Sequence, residues 1–332
     1  MNKRLRTAAS GFVLAGLAVI GCGGDDEDSR AVPRGPAIAV IGDTPYGADQ
    51  VANFRRDIAE INADRDVRLV IHLGDIQEGP SRCSDKYLRR IRRDFDTFDE
   101  PLVYTPGDNE WTDCHQPHKG GLAPPQRLAR LRAVFFDRPG QTLGRRVRRV
   151  KAQRASFVEN VRFMEGRTVF TTLHVPGSNN GLEPWSGGSA PSRDQREHYR
   201  SRLKAALDWL DRAFDAARAE RAAAVVVAMQ ADMWPAEARP GGTSGYERVV
   251  ATLARRARAF RRPVLVLQGD SHRFKVDYPL RRGSGMHGVT TAAPNVVRVV
   301  VQGADSTPRQ WTRVRMERTR DVFTLEQVRF KR

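Results

Sequence analysis

Cysteine is scarce in this chain of 332 residues, with three in all. That is too few for a disulfide-built scaffold or a zinc-ribbon pattern. Lysine is nearly as scarce, since 49 of the 56 basic residues are Arg. No apolar run reaches the roughly 20 residues that cross a bilayer as a helix. The hydrophobic and charged shares, 40% and 29%, exclude a polytopic membrane protein and a disordered chain. Solenoid repeats are absent, and low complexity is confined to a short acidic stretch near the start. Acidic residues are outnumbered, 39 against 56, leaving a net charge of +17. Such a balance raises the question of an anionic partner. The length suits one large or two modest domains with a full core.

The first residues read as an address. Residues 2–6 are basic, and Gly11 to Gly21 is an apolar run of eleven, the order of a secretory signal. Val19-Ile20-Gly21-Cys22 resembles the bacterial lipobox, whose cysteine receives lipid. The expectation is a lipoprotein signal peptide over 1–21, lipidation at Cys22, an acidic flexible tether over 22–35 and one folded domain over 36–332. The chain is then extracytoplasmic and anchored to a bacterial membrane. An ordinary signal peptide with an incidental cysteine is the alternative. Export would put Cys83 and Cys114 in an oxidising compartment, where a disulfide persists. Bridged, they would close a loop of about thirty residues and contribute roughly 3 kcal/mol. A reactive thiol or a metal ligand is the other reading of these two residues.

One pattern recurs along the chain. Ala37–Ile41 runs into Gly42-Asp43, Leu69–Leu73 into Gly74-Asp75, Leu102–Pro106 into Gly107-Asp108, and Val264–Gln268 into Gly269-Asp270. Short apolar runs closed by Gly read as buried strands of an α/β sheet. A fifth run, Ala223–Met229, ends in Gln230-Ala231-Asp232. Helical spacing occupies Asp49–Ala63, Lys86–Phe98, Arg127–Phe136 and Gln195–Ala219. Hairpin strands are expected between Ser156 and Val175, and more strands from Val296 onward. Strand–helix alternation followed by such strands implies sheets of mixed direction, two of them packed together. Ligands of α/β sheets bind beyond the carboxyl ends of the strands. Several aspartates gathered there would repel one another, so a bound cation is the natural compensation. His272 adds a nitrogen to the last of these loops.

These motifs resemble those of the calcineurin-like metallophosphoesterases, over about 70% of the chain. The family's series is Asp-x-His, Gly-Asp-x-x-Asp, Gly-Asn-His-Asp/Glu, a lone His and Gly-His-x-His. The matching segments here are Gly42-Asp43-Thr44-Pro45, Gly74-Asp75, Gly107-Asp108-Asn109-Glu110, Gln230 or Asp232, and Gly269-Asp270-Ser271-His272. The resemblance implies a four-layer α/β/β/α sandwich of two mixed sheets with a two-metal site between the sheet ends. It implies Asp43, Asp75, Asp108, Asp270 and His272 as metal ligands, supplemented by Gln230 or Asp232. The departures are systematic: Pro45 stands where a ligand His is usual, and Asn109 where the acid–base His is usual. Asn109 can donate to a phosphoryl oxygen but cannot protonate a leaving group near neutral pH. Carboxylate in place of imidazole favours Mn²⁺, Mg²⁺ or Ca²⁺ over Zn²⁺ or iron.

The function implied is an exported, metal-dependent phosphoesterase using one or two divalent ions on a phosphorylated small molecule or other phosphate ester. A catalytically impaired surface lipoprotein of the same fold is the alternative. Asn179 and Asn180, in a loop of turn formers, are candidates for substrate contact, with ordinary turn chemistry as the rival. His72, inside an apolar strand, reads as a satisfied core histidine. The Arg145-Arg146, Arg148-Arg149 cluster lacks interleaved aromatics or a recognisable module, so no nucleic-acid partner is expected.

Overall fold

The computed structural model describes residues 18–19, 35–154, 156–238, 241–317 and 322–331. The expected leader, the lipidation site Cys22 and the tether through Arg34 lie outside these residues, apart from Ala18 and Val19. The chain is an α/β protein with two mixed sheets. In the first, β4 (Leu102–Tyr104), β3 (Val67–His72) and β2 (Ala37–Ile41) run parallel, followed by antiparallel β12 (Gln310–Met316) and β13 (Phe323–Arg329). The two-residue strand β1 (Ala18–Val19) pairs along the outer edge of β13. Among the described residues the second sheet has seven strands. Its parallel centre is β11 (Val296–Val300), β9 (Val264–Gln268), β8 (Ala224–Ala228) and β7 (Thr168–Thr172). Antiparallel β10 (Lys275–Asp277) flanks one side, and β6 (Val161–Glu165) with β5 (Lys151–Ala152) the other.

The continuous apolar runs follow from burial on both faces. On β2, Ala37, Ala39 and Ile41 meet the helix side, packing with Phe54, Ile58, Leu88, Phe95 and Leu131. Ile38 and Val40 of the same strand face the second sheet, joining Phe163, Phe170, Val226 and Leu265. On β8, Val225 and Val227 meet Leu210, Phe214 and Leu253, while Ala224, Val226 and Ala228 turn inward. Helices Gly47–Ala63, Asp85–Phe95 and Pro124–Phe135 thus cover one sheet, and Arg193–Ala219 with Glu247–Phe260 cover the other. Side-chain caps start two of them: Ser84 Oγ accepts from Tyr87 N, and Ser192 Oγ from Gln195 N. The helix Glu247–Phe260 is absent from the sequence-derived elements, because its four arginines and four alanines dilute the apolar stripe of Val249, Val250, Leu253 and Phe260.

Cys83 and Cys114 form a disulfide, with Cα atoms 5.8 Å apart. Much of the arginine excess is engaged in ion pairs that tie elements together. Arg145 pairs with Asp99, Arg146 with Glu100, Arg309 with Asp57, and Arg313 with Asp64 and Glu326. No helix among the described residues is long and apolar enough to cross a membrane.

Candidate metal centre

The parallel strands of both sheets end at one edge, and the loops that follow meet there. Asp43 lies just past β2, Asp75 past β3, Asp108 past β4, Gln230 past β8 and Asp270 past β9. Asp43, Asp75, Asp270 and His272 all have positive φ, between 52° and 72°. Aspartate tolerates this left-handed conformation better than most residues, and it turns each chain sharply at the strand end. Small residues precede them for a separate reason: a Cβ on Gly107 would sit 2.0 Å from Asp75 Oδ1, and one on Gly269 would sit 2.5 Å from Asp43 Oδ2. The glycines let one loop's carboxylate rest on the next loop's backbone.

Asp75, Asp108 and Asp270 each bring a carboxylate oxygen within 4.8 Å of the other two. Asp43 joins from the other side, accepting the Asp270 N–H at 3.0 Å and lying 3.6 Å from His272 Nε2. Burial and mutual repulsion act on all of them. Burial first, then Asp108 and Glu110, push Asp75 well above the usual carboxylate range. Burial and the Asp113 charge do the same to Asp108. Asp43 is pushed up to about 7 by burial, although His272 opposes the shift. Burial raises Asp270 to about 6.

Two amides and one hydroxyl are directed at these carboxylates. Asn109 donates through Nδ2 to Asp75 Oδ2 at 2.9 Å and through its backbone N–H to Oδ1 at 3.1 Å. The amide orientation is fixed from behind, because the buried Lys119 donates to Asn109 Oδ1 at 3.2 Å. Gln230 donates from Nε2 to Asp75 Oδ2 and Asp270 Oδ1, both at 3.2 Å, while its Oε1 accepts the Gly177 N–H at 2.5 Å. Gln230 therefore faces the cluster as a hydrogen-bond donor. Turning its oxygen inward would set the amide N–H₂ against the Gly177 N–H. Ser178 Oγ lies 2.6 Å from Asp108 Oδ2 and 2.9 Å from Asp113 Oδ1.

Three expected site residues are placed elsewhere. Asp232 is buried and paired at 2.5 Å with Arg298, and it also accepts from Ser271 Oγ and Trp234 N. Its carboxylate is spent on that network, and only its backbone N–H reaches Asp270. Asn179 and Asn180 fix the loop around Gly245. Asn179 accepts the Gly245 N–H and donates to Gly241 O, while Asn180 donates to Gly245 O and accepts from Arg202. Together with Ser178 they form a left-handed turn, φ 49° to 58°. Their amides are consumed in holding that turn, which delivers Ser178 and Gly177 to the cluster. His72 is the satisfied core histidine expected: Gly74 N donates to its Nδ1, so Nε2–H donates to Thr44 O. Burial lowers it to about 3, keeping the ring neutral.

Sequence reasoning missed Tyr46, Lys119, Ser178 and Asp305. The Tyr46 hydroxyl lies 3.4 Å from His272 Nε2 and 3.5 Å from Asn109 Nδ2, and Asp305 Oδ2 accepts from His272 Nδ1 at 2.9 Å. Two of them carry a signal of proximity, Tyr46 to Asp43 and Ser178 to Asn179; Lys119 and Asp305 lie on separate elements.

The donor set suits a hard divalent cation. Among the described residues, Asp108 Oδ1 is buried without a hydrogen-bond partner, and such a buried carboxylate oxygen beside two more carboxylates calls for positive charge. Gly177 leaves the room: a Cβ there would lie 2.7 Å from both Asp108 Oδ1 and Asp270 Oδ1. The fold and site define an α/β protein with a buried acidic cluster able to hold a metal ion between its two sheets. No family model and no curated protein matches the chain. A solved structure described as "GAP50 the anchor in the inner membrane complex of Plasmodium" aligns with a TM-score of 0.47 at 10% identity, covering 90% of each chain.

Proposed function

We propose that this chain is an exported, lipid-anchored phosphoester hydrolase that depends on a divalent cation, built on a four-layer metallophosphoesterase-like sandwich. The observation that carries the reading is the convergence of Asp75, Asp108 and Asp270, with Asp108 Oδ1 lacking a hydrogen-bond partner among the described residues. These three would hold the ion, with Asp43 and His272 beside them. A bound divalent cation of this kind polarises a phosphoryl oxygen and makes water a stronger nucleophile. The chain's own contribution is placement. Lys119 and Asp75 hold the Asn109 amide so that its N–H₂ group faces the cluster. That group is a ready donor for the charge that builds on a phosphoryl oxygen during displacement. The disulfide supports export, because such bonds persist outside the reducing cytoplasm.

A second reading, a cation-binding surface lipoprotein without turnover, draws on Pro45 and Asn109. Neither side chain can carry a proton to a leaving group, and Pro45 supplies no ligand. The two readings separate in one experiment. The purified chain is assayed for metal content, then screened with phosphomono- and phosphodiesters in Mn²⁺, beside Asp75→Asn. Turnover that needs Mn²⁺ and is lost in the variant supports the hydrolase. Mn²⁺ binding without turnover sustains the second reading alone, and no bound metal removes both.

A further inference from the structure

We infer that Asp305 is a positioning residue for His272: it holds the Nδ1–H and leaves Nε2 open toward Asp43. This rests on the proposed function only for the purpose of the open nitrogen; the pairing itself stands on geometry. A carboxylate oxygen only accepts, so the 2.9 Å contact between Asp305 Oδ2 and His272 Nδ1 requires the proton on Nδ1. When the ring is neutral, Nε2 is then a bare lone pair, with Tyr46 OH at 3.4 Å and Asp43 Oδ1 at 3.6 Å; the protonated ring, which Asp43 and Asp305 favour, carries a proton on both nitrogens. A histidine presented to a metal characteristically donates its other ring nitrogen to a carboxylate in this way.

The loop that carries Asp305 is shaped around His272 in several independent places. Gly303 N–H donates to His272 O at 2.9 Å, and Ser306 Oγ donates to the same carbonyl at 2.8 Å. Any side chain at Gly303 would collide with the ring, because a Cβ there would meet His272 Cγ at 2.7 Å. The same loop is anchored to the Asp43 side of the site. Ala304 N–H donates to Asp43 O at 2.9 Å, and Ala304 O accepts from Gln50 at 2.7 Å. One short segment after β11 therefore sets the spacing between Asp43 and His272 and the rotation of the His272 ring. Asp305 itself is largely exposed, at 60% of its side-chain surface. Its carboxylate contributes little to the core, and replacing it leaves the backbone clamp in place.

The test uses the full chain with ¹⁵N-labelled histidine, at a pH high enough to leave the ring neutral. Long-range ¹H–¹⁵N correlation spectra report the tautomer, and His272→Gln assigns the signal. The wild-type protein is expected to show His272 protonated on Nδ1. Asp305→Ala should shift it toward the Nε2–H form, and Asp305→Asn, whose Oδ1 still accepts, should retain Nδ1–H. A wild-type Nε2–H signal, or an Asp305→Ala spectrum like wild type, overturns the assignment. In parallel, Mn²⁺ titration should show affinity at the His272 side falling about 10–100-fold in Asp305→Ala, with Asp305→Asn close to wild type. A tautomer change without any Mn²⁺ binding by the wild-type chain would remove the metal reading and leave the pairing supported.

Discussion

Arg298 places a guanidinium nitrogen 2.5 Å from Asp232 Oδ1, with both side chains buried. The same guanidinium holds Asp277 through two further bonds and lies over the Trp234 ring. Sequence position alone made Asp232 a ligand candidate, but a carboxylate paired with a buried cation has little attraction left for another. Asp232→Asn should therefore change Mn²⁺ affinity far less than Asp270→Asn does. Arg298→Met should be much more harmful to folding, because it strands two carboxylates; about 3–5 kcal/mol is the usual cost of breaking such a pair. Urea denaturation measures the second effect and metal titration the first. Equal losses of affinity in the two Asp variants would return Asp232 to the ligand set.

Cation binding should stabilise the protein more as pH rises. Burial pushes Asp43 up to about 7 and Asp270 up to about 6, and it pushes Asp75 and Asp108 well above the usual carboxylate range. Their unfolded values lie near about 4, so over this range the folded state binds more protons than the unfolded state. Stability contributed by these groups therefore falls as pH rises from about 4 through about 7. A divalent cation stabilises the ionised carboxylates and offsets that loss. Buried histidines such as His72 are common to both forms, so their contribution cancels in the difference. The increment in Tm on adding Mn²⁺ should grow between about pH 5 and pH 8, read by thermal unfolding with and without metal. An increment that is flat or larger at the acidic end would count against these carboxylates as the binding site.

Gly177→Ala should act on the cluster itself. The new methyl would enter the space that Asp108 Oδ1 and Asp270 Oδ1 border at 2.7 Å. Some part of the loop must move, which typically costs about 1–3 kcal/mol. Because the displaced atoms are the proposed ligands, Mn²⁺ affinity should fall together with stability. Ser178→Ala is the comparison: it removes the hydroxyl on Asp108 Oδ2 but leaves the space open. Affinity unchanged in Gly177→Ala would mean that the ion is held somewhere else.

The four strand-end aspartates were legible because two local signals coincide there: an apolar run buried on both faces and a glycine that admits a neighbouring loop. The Asp43, Asp75, Asp108 and Asp270 placements follow from where each apolar run ends in Gly-Asp. What was not legible depends on which side chains meet after folding. Asp305 lies 33 positions beyond its partner His272, on a strand-end loop with no motif of its own. Lys119 looks like an ordinary turn residue until its nitrogen is seen beside Asn109. Asn179 and Asn180 look available in sequence, since nothing local reveals that Gly245 and Arg202 will use up their amides. Ion pairing likewise dissolves the apparent basic cluster at Arg145 and Arg146, whose partners Asp99 and Glu100 sit in a loop ahead of β4.

Cutting the disulfide should loosen the site as well as the fold. Cys83 and Cys114 are separated by 31 positions, and the chain-entropy relation gives about 3.7 kcal/mol for a loop of that size. The loop it closes contains Asp108 and Asn109, and the bond lies beneath Asn109. Gln77 Nε2 lies 3.2 Å from Cys83 Sγ and 3.0 Å from Asn109 O, and Cys83 N–H donates to Lys119 O at 2.9 Å. The disulfide thus holds both Asn109 and the lysine that orients its amide. A Cys83→Ser, Cys114→Ser variant is expected to lose about 3.7 kcal/mol in urea denaturation. At temperatures where it remains folded, any Mn²⁺-dependent turnover should drop further than Mn²⁺ affinity does. The reason is that two of the three proposed ligands, Asp75 and Asp270, are anchored outside the closed loop, which holds Asn109 and only the third ligand, Asp108. Turnover preserved in the folded variant would remove the role given to Asn109.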